Sequence, residues 1–354
     1  MIKQFYNVIG VMSGTSLDGV DLAHIHFFID TGKWKFEIIE SKTIAYSKEW
    51  LEKLKKAIHF SQSELKQLNE DYTKLLAEII NNFIANHQIS DLDAVCSHGH
   101  TILHQPQNGF TLQIGNLSEI AKLVNQKVVC DFRVQDVKLG GQGAPLVPIG
   151  DEILFSEFTY CLNLGGFSNI SFSENGKRIA FDISPVNTVL NFYANQLNVD
   201  YDDKGSYAKS GNLNQKLFEE LNDLEFYKID YPKSLGFEFV KETILPLMES
   251  VEISVFDKMN TFVHHAAFQI SNVLNHKNGS LLITGGGAYN DFLIEKIKFY
   301  LPEINIVIPD KNILEYKEAL IFALLGVLKL RGENNVLSSV TGAQYDHSSG
   351  NIFF

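Results

Sequence analysis

Residues 10–21 read Gly10-Val11-Met12-Ser13-Gly14-Thr15-Ser16-Leu17-Asp18-Gly19-Val20-Asp21, and the reading of this stretch decides the fold. Apolar runs flank its tip, Phe5 to Ile9 before it and Val20 to Phe28 after it. The second run alternates at period two, as a strand does. The stretch is therefore predicted as a hairpin whose tip is made of small donors. Glycine lets backbone N–H groups come close to an anion and hydroxyls add further donors, so such a tip suits phosphates. The carboxylates of Asp18 and Asp21 would repel a phosphate unless a cation lay between, which points to a nucleotide carried with Mg²⁺. An ordinary polar hairpin is the plainer alternative from this stretch alone.

The pattern recurs. Tyr160 to Leu164, the tip Gly165-Gly166-Phe167-Ser168-Asn169 and Ile170 to Phe172 again read as strand, glycine-rich tip and strand. A chain of 354 residues exceeds one typical core. A repeated hairpin in each half predicts two similar α/β domains, although two hairpins also recur by chance. The sharpest break in composition is Gly140-Gly141-Gln142-Gly143-Ala144-Pro145. It sets the expected domains at 1–138 and 139–330, with 331–354 packing back on the first.

The formal net charge of −12, with no basic run, argues against a nucleic-acid or anionic-membrane partner. Cys96, Cys130 and Cys161 lie in apolar, strand-like sequence without CxxC spacing, so they read as buried thiols of a reducing compartment. No N-terminal apolar run is long enough for a signal peptide or membrane span, and a cytoplasmic protein is expected.

Candidate site residues follow from strand ends, where α/β proteins place ligand contacts. A strand over Leu92 to Ser97 would end in Ser97-His98-Gly99-His100-Thr101, making His98, His100 and Thr101 candidates. Lys127 to Cys130 leads into Asp131-Phe132-Arg133, either a substrate contact or a structural ion pair. Lys177 to Phe181 would deliver Asp182 at its end, as general base or helix cap, with Pro185 in the first turn of a helix over Asn187 to Leu197. Gly285-Gly286-Gly287, after a strand over Ser280 to Thr284, would let a base or ribose pass close to the backbone. Glu318, near the start of a helix over Tyr316 to Leu330, is either site support or a dipole-favoured residue. His264 and His265, on a helix over Phe256 to Leu274, read as surface or packing residues.

Taken together, several motifs resemble the anhydro-N-acetylmuramic acid kinases. They are the stretch 10–21, Asp131-Phe132-Arg133, the run 140–148, Asn163 to Gly166, Gly285 to Asn290, Lys317-Glu318-Ala319 and Thr341-Gly342-Ala343, in family order over nearly the whole chain. The resemblance implies two actin/hexokinase-like (ribonuclease H-like) domains with a nucleotide cleft between them. It implies ATP, Mg²⁺ and a small-molecule sugar as ligands, and leaves a homodimer open. The implied reaction opens 1,6-anhydro-N-acetylmuramic acid hydrolytically and phosphorylates O6, in peptidoglycan recycling. By motif, Gly14, Thr15, Ser16, Leu17, Asp18, Gly19, Val20 and Asp21 would bind phosphates, with Asp18 and Asp21 on the metal. Gly165 and Gly166 would join the nucleotide site and Gly285, Gly286 and Gly287 would seat adenosine. His98, Thr101, Arg133, Asn187 and Glu318 would meet the sugar, and Asp182 would be the catalytic base.

Two stretches depart from the family pattern. Asp-Thr-Gly-Pro-Gly-Asn appears as Asp182-Ile183-Ser184-Pro185-Val186-Asn187, and His-Gly-Gln-Thr as His98-Gly99-His100-Thr101. Base and Asn are kept, so activity is expected. A pocket altered at His100, Ser184 and Val186 would suit a different amino or anhydro sugar. A non-catalytic ATP-binding clamp or sensor is the reading from another class.

Overall fold

A computed structural model describes residues 3–14, 17–274 and 278–354. The chain forms two compact units, Met1–Phe155 with Tyr316–Phe354, and Ser156–Glu315. The first carries β1 (Phe5–Ser13), β2 (Val20–Asp30), β3 (Lys33–Ile44), β4 (Ala94–Gln105), β5 (Phe110–Ile114), β6 (Val128–Cys130) and β12 (Asn351–Phe353). The second carries β7 (Tyr160–Leu164), β8 (Phe167–Glu174), β9 (Lys177–Pro185), β10 (Gly279–Thr284) and β11 (Ile304–Val307).

The two sheets repeat one topology. In the first, β3, β2 and β1 form an antiparallel meander, and β4 and then β6 add in parallel on the β1 side. In the second, β9, β8 and β7 form the meander, and β10 and then β11 add in parallel on the β7 side. This strand order is the ribonuclease H-like arrangement, and it occurs once in each unit. In the first unit β5 pairs with β4, and β12 closes the edge beyond β6.

Helices cover the sheets where the apolar spacing calls for them. Gln62–Asn86 starts at a capping box, in which the Ser61 N–H donates to Glu64 Oε2 (2.7 Å) and the Glu64 N–H to Ser61 Oγ (3.4 Å). Its Leu68, Tyr72, Leu76, Ile80 and Phe83 enter the first unit's core. Lys311–Arg331 approaches the same sheet closely. A Cβ on Gly10 would lie 2.0 Å from the Ala319 carbonyl oxygen, and one on Gly326 would lie 2.1 Å from Cys96 Sγ. The three cysteines are buried.

Several elements differ from the sequence reading. The units divide at 155/156 and 315/316, while the expected boundaries were 138/139 and 330/331. The glycine stretch 140–143 stays with the first unit because its backbone is tied there: the Gly143 N–H donates to Asp136 Oδ2 and the Gln142 N–H to the Thr341 carbonyl. β4 does not stop at Ser97 but runs to Gln105, held by its ladder with β5. β9 likewise runs past Asp182 to Pro185, which leaves that proline outside the helix Asn187–Gln196.

Gly10→Ala should destabilise the protein by about 1–3 kcal/mol, because neither the strand nor the Ala319 carbonyl has room to yield. A denaturant titration read by tryptophan fluorescence checks this, with a clear drop in the unfolding midpoint expected.

Candidate active site

In the first unit the hairpin tip lies between β1 and β2. Thr15 and Ser16 fall outside the described residues. The remainder is a turn in which the Leu17 N–H donates to the Gly14 carbonyl (3.3 Å), with φ of 64° at Leu17 and 153° at Gly19. Leu17 packs against the core and Val20 is fully buried, so these two can offer a ligand only their backbone. Asp18 is exposed. Asp21 faces Thr43, whose hydroxyl donates to Oδ1 (2.6 Å).

Beneath the tip a chain of buried hydroxyls holds its root. Tyr72 Oη and Tyr46 Oη share a hydrogen bond (2.5 Å), Tyr46 Oη meets Ser13 Oγ (2.6 Å), and Ser13 Oγ meets His100 Nδ1 (2.8 Å). Burial lowers His100 to about 4, so it is neutral at physiological pH.

Next to it on β4, His98 joins Arg133. The Arg133 Nε–H donates to His98 Nε2 (2.8 Å), and His98 Nδ1 lies 2.9 Å from the Gly99 carbonyl. Both bonds are made only by a neutral ring protonated at Nδ1. Burial first, and then Arg133, pushes His98 well below its ordinary value. Burial also brings the Arg133 guanidinium down to about 10, against Glu318 and Asp136, so it remains cationic. Its Nη1 donates to the Gly143 carbonyl (2.6 Å).

Glu318 is solvent-accessible, yet the protein packed around it raises its carboxyl above the usual range. Arg133 opposes that rise, Asp21 adds to it and Lys317 opposes it. Glu318 lies well inside the helix Lys311–Arg331, not near its start. Thr101 has another partner, Gln113, across the β4–β5 ladder.

The second unit assembles its own group. Gly165 and Gly166 form the two-residue turn between β7 and β8. Their carbonyls receive the N–H groups of Asn187 (3.3 Å) on the first and of Val186 (2.8 Å) and Thr188 (3.2 Å) on the second, which sets the helix Asn187–Gln196 directly on the tip. Gly285 is left-handed (φ 86°), and a Cβ there would fall 2.5 Å from Asn163 Oδ1. Only glycine lets this turn lie against the end of β7. Beyond it Ala288, Tyr289, Ile308, Pro309, Lys311, Leu314 and Glu315 line a pocket of about 360 Å³.

Asp182 sits on β9 opposite Asn169, half-buried. Its N–H donates to the Lys233 carbonyl (3.1 Å), and its Oδ2 accepts the Leu235 N–H (2.8 Å). Burial raises this carboxyl above the ordinary value and the Leu235 N–H partly offsets it. The segment around Leu235 is anchored by Tyr231, stacked on Phe181 at 5.2 Å, and by Lys233 Nζ, which donates to the Ile229 carbonyl (2.9 Å). Sequence reasoning missed this segment. Its signal was Pro232 and Gly236 bracketing the short stretch Lys233-Ser234-Leu235.

The departures from the family pattern turn inward. Val186 is fully buried in the second core with a negative φ of −134°, so no glycine is needed there. Ser184 is also fully buried, and its N–H and carbonyl both bond the Ser168 hydroxyl. His100, the third, is tied to Ser13.

Among the described residues, no cluster of three or more His, Cys, Asp or Glu is arranged to hold a metal, and no helix is long and apolar enough to cross a membrane.

A family model described as anhydro-N-acetylmuramic acid kinase matches residues 6–354. The anhydro-N-acetylmuramic acid kinase of Shewanella sp. (strain MR-4) is 33% identical over 372 residues, spanning 100% of this chain and 99% of the relative. That of Actinobacillus pleuropneumoniae serotype 3 (strain JL03) is 33% identical over 371 residues, spanning 100% of both. Among solved structures, component A of the (R)-2-hydroxyglutaryl-CoA dehydratase of Acidaminococcus fermentans aligns with a TM-score of 0.44 and 14% identity, over 92% of this chain and 99% of that one. The fold assignment rests on the duplicated strand order, and the sequence matches run from end to end: the chain belongs to the anhydro-N-acetylmuramic acid kinase family and is a kinase of that class.

Proposed function

We propose that the protein opens 1,6-anhydro-N-acetylmuramic acid with water while transferring the γ-phosphoryl group of ATP to O6, giving N-acetylmuramic acid 6-phosphate and ADP in peptidoglycan recycling. The observation that carries this reading is the state of Asp182. One carboxylate oxygen is fixed by the Leu235 N–H, and burial makes the group a stronger base than an exposed aspartate. A base so held suits proton removal from a water that attacks C1.

The reaction balances with a single carboxylate. Water adds to C1, the C1–O6 bond breaks, and its electron pair stays on O6. O6 then forms the new bond to the γ-phosphorus as ADP departs, and the water's proton rests on Asp182 until it passes to solvent. An inverting glycosidase needs an acid to protonate its leaving oxygen, but here phosphorylation traps that oxygen. Arg133, cationic at neutral pH and oriented by His98, is assigned to an anionic or polar group of the sugar, with Glu318 on a hydroxyl. The kept Asn187, at the start of its helix, is likewise assigned to the sugar.

Asp18 and Asp21 would hold Mg²⁺. Carboxylate oxygens from two residues of one hairpin suit an ion that keeps several waters and is completed by phosphate oxygens. When bound, it neutralises charge on the transferring phosphoryl group. The 360 Å³ pocket after Gly287 has the size and apolar lining for an adenine. A reaction that consumes ATP belongs in the cytoplasm. Ser184, Val186 and His100, on which the reading as a kinase of another sugar rests, are engaged in packing and internal bonds.

Mass spectrometry of product formed from ATP, Mg²⁺ and the anhydro sugar in ¹⁸O water tests the reaction, with ring-opened 6-phosphate labelled at C1 expected. Unlabelled or absent product would end the proposal. Asp182→Asn should lower kcat by roughly 10²–10⁴-fold, with ATP binding kept in calorimetry. The acidic limb of kcat/KM should fall as Asp182 is protonated, and its midpoint should lie above the ordinary aspartate value of 3.8, since burial raises the group. A pH–rate profile in the free-enzyme regime checks it.

A further inference from the structure

Thr341-Gly342-Ala343 and the glycine loop 140–145 stand among the motifs of this chain, and the chemistry above uses neither. The structure joins them through one buried carboxylate. Asp136 is fully buried, and its Oδ2 accepts the Gly143 N–H at 2.6 Å. Its Oδ1 accepts the Thr341 hydroxyl at 2.7 Å, with His347 Nε2 3.7 Å away. Thr341, almost fully buried, also accepts the Gln142 N–H on its carbonyl (2.8 Å). The loop backbone lies tight against this anchor, since a Cβ on Gly141 would fall 2.2 Å from Asp136 Oδ2. The other face of the same Gly143 residue presents its carbonyl to Arg133 Nη1 at 2.6 Å.

We propose that Asp136 and Thr341 are positioning residues that set Arg133 for the sugar through the Gly143 carbonyl. The proposal rests on the reading of Arg133 as a sugar contact. Two hydrogen bonds hold the Arg133 guanidinium, to His98 at Nε and to the Gly143 carbonyl at Nη1, and together they fix the plane of the fork. A carboxylate that bonds the Gly143 N–H aligns that residue, and the Thr341 hydroxyl keeps the carboxylate from turning. Without the hydroxyl, Asp136 Oδ1 loses a buried donor, and the loop relaxes toward whatever donor replaces it. Displacement of a substrate contact by a fraction of an ångström is enough to weaken binding several-fold.

Thr341→Val keeps shape and removes the hydroxyl, and Thr341→Ser restores it. Steady-state kinetics on full-length protein should show the sugar KM raised roughly three- to tenfold in Thr341→Val, with kcat and the ATP KM within about twofold of wild type. Thr341→Ser should restore the sugar KM. In an Arg133→Ala background, Thr341→Val should add nothing. Hydrogen exchange of the peptide spanning 139–146 should quicken in Thr341→Val. An unchanged sugar KM with unchanged exchange, or effects that multiply fully with Arg133→Ala, would overturn the proposal, and so would equal losses in every kinetic constant. If Arg133→Ala itself leaves the sugar KM alone, the sugar assignment of Arg133 fails and the positioning role for the sugar fails with it. Faster exchange in Thr341→Val would then report a loop anchor only.

Discussion

Much of the first unit depends on one steric fact: Gly10 has no side chain, and the carbonyl of Ala319 occupies that space. Close approach lets the helix Lys311–Arg331 lie along β1 and fixes its rotation. Glu318 and Phe322 then fall on the side where Arg133 and His98 stand, with Arg133 5.9 Å from the Phe322 ring and His98 4.6 Å from it. Lys317, one residue earlier, enters a buried ion pair with Asp151 at 2.6 Å. Such a pair adds little net stability, but breaking it would strand a charge, so it holds the helix to one register.

The electrostatics of the site follow from what burial does to each group. The histidines beside the hairpin are kept neutral, so they serve as oriented donors and acceptors and leave the positive charge to Arg133. Burial raises the carboxyl of Asp182 against the pull of the Leu235 N–H, and the protein packed around Glu318 raises its carboxyl against the pull of Arg133 and Lys317. In a chain with net charge −12, this concentrates cationic character at a chosen point without a basic surface.

The duplicated hairpins, the long helices and the glycine turns were legible in the sequence because each leaves a local mark: alternation, a 3.6 period, or glycine where the backbone approaches closely. Asp182 and Arg133 were legible as types at marked places. Element ends were less so. β4 and β9 run on past Ser97 and Asp182 because their neighbouring hairpin strands β5 and β8 continue the ladder there, and the residues at those ends do not mark it by themselves. The unit boundary was misplaced for a similar reason. A glycine run looks like a hinge until Thr341, 205 residues from Asp136, is seen to help tie it down. Pro232 and Gly236 mark the segment as a loop, but Leu235 itself carries no mark, because its contribution is a backbone N–H, which every residue but proline possesses.

Val186 has a consequence in entropy. A β-branched residue where the family pattern has glycine explores fewer conformations in the unfolded chain, so less freedom is lost when the turn after Asp182 orders. Its side chain is sunk among core residues, so that ordering is completed during folding. A turn already fixed by folding has little freedom left to surrender, so any ligand that met it would give up less of its contact energy to ordering.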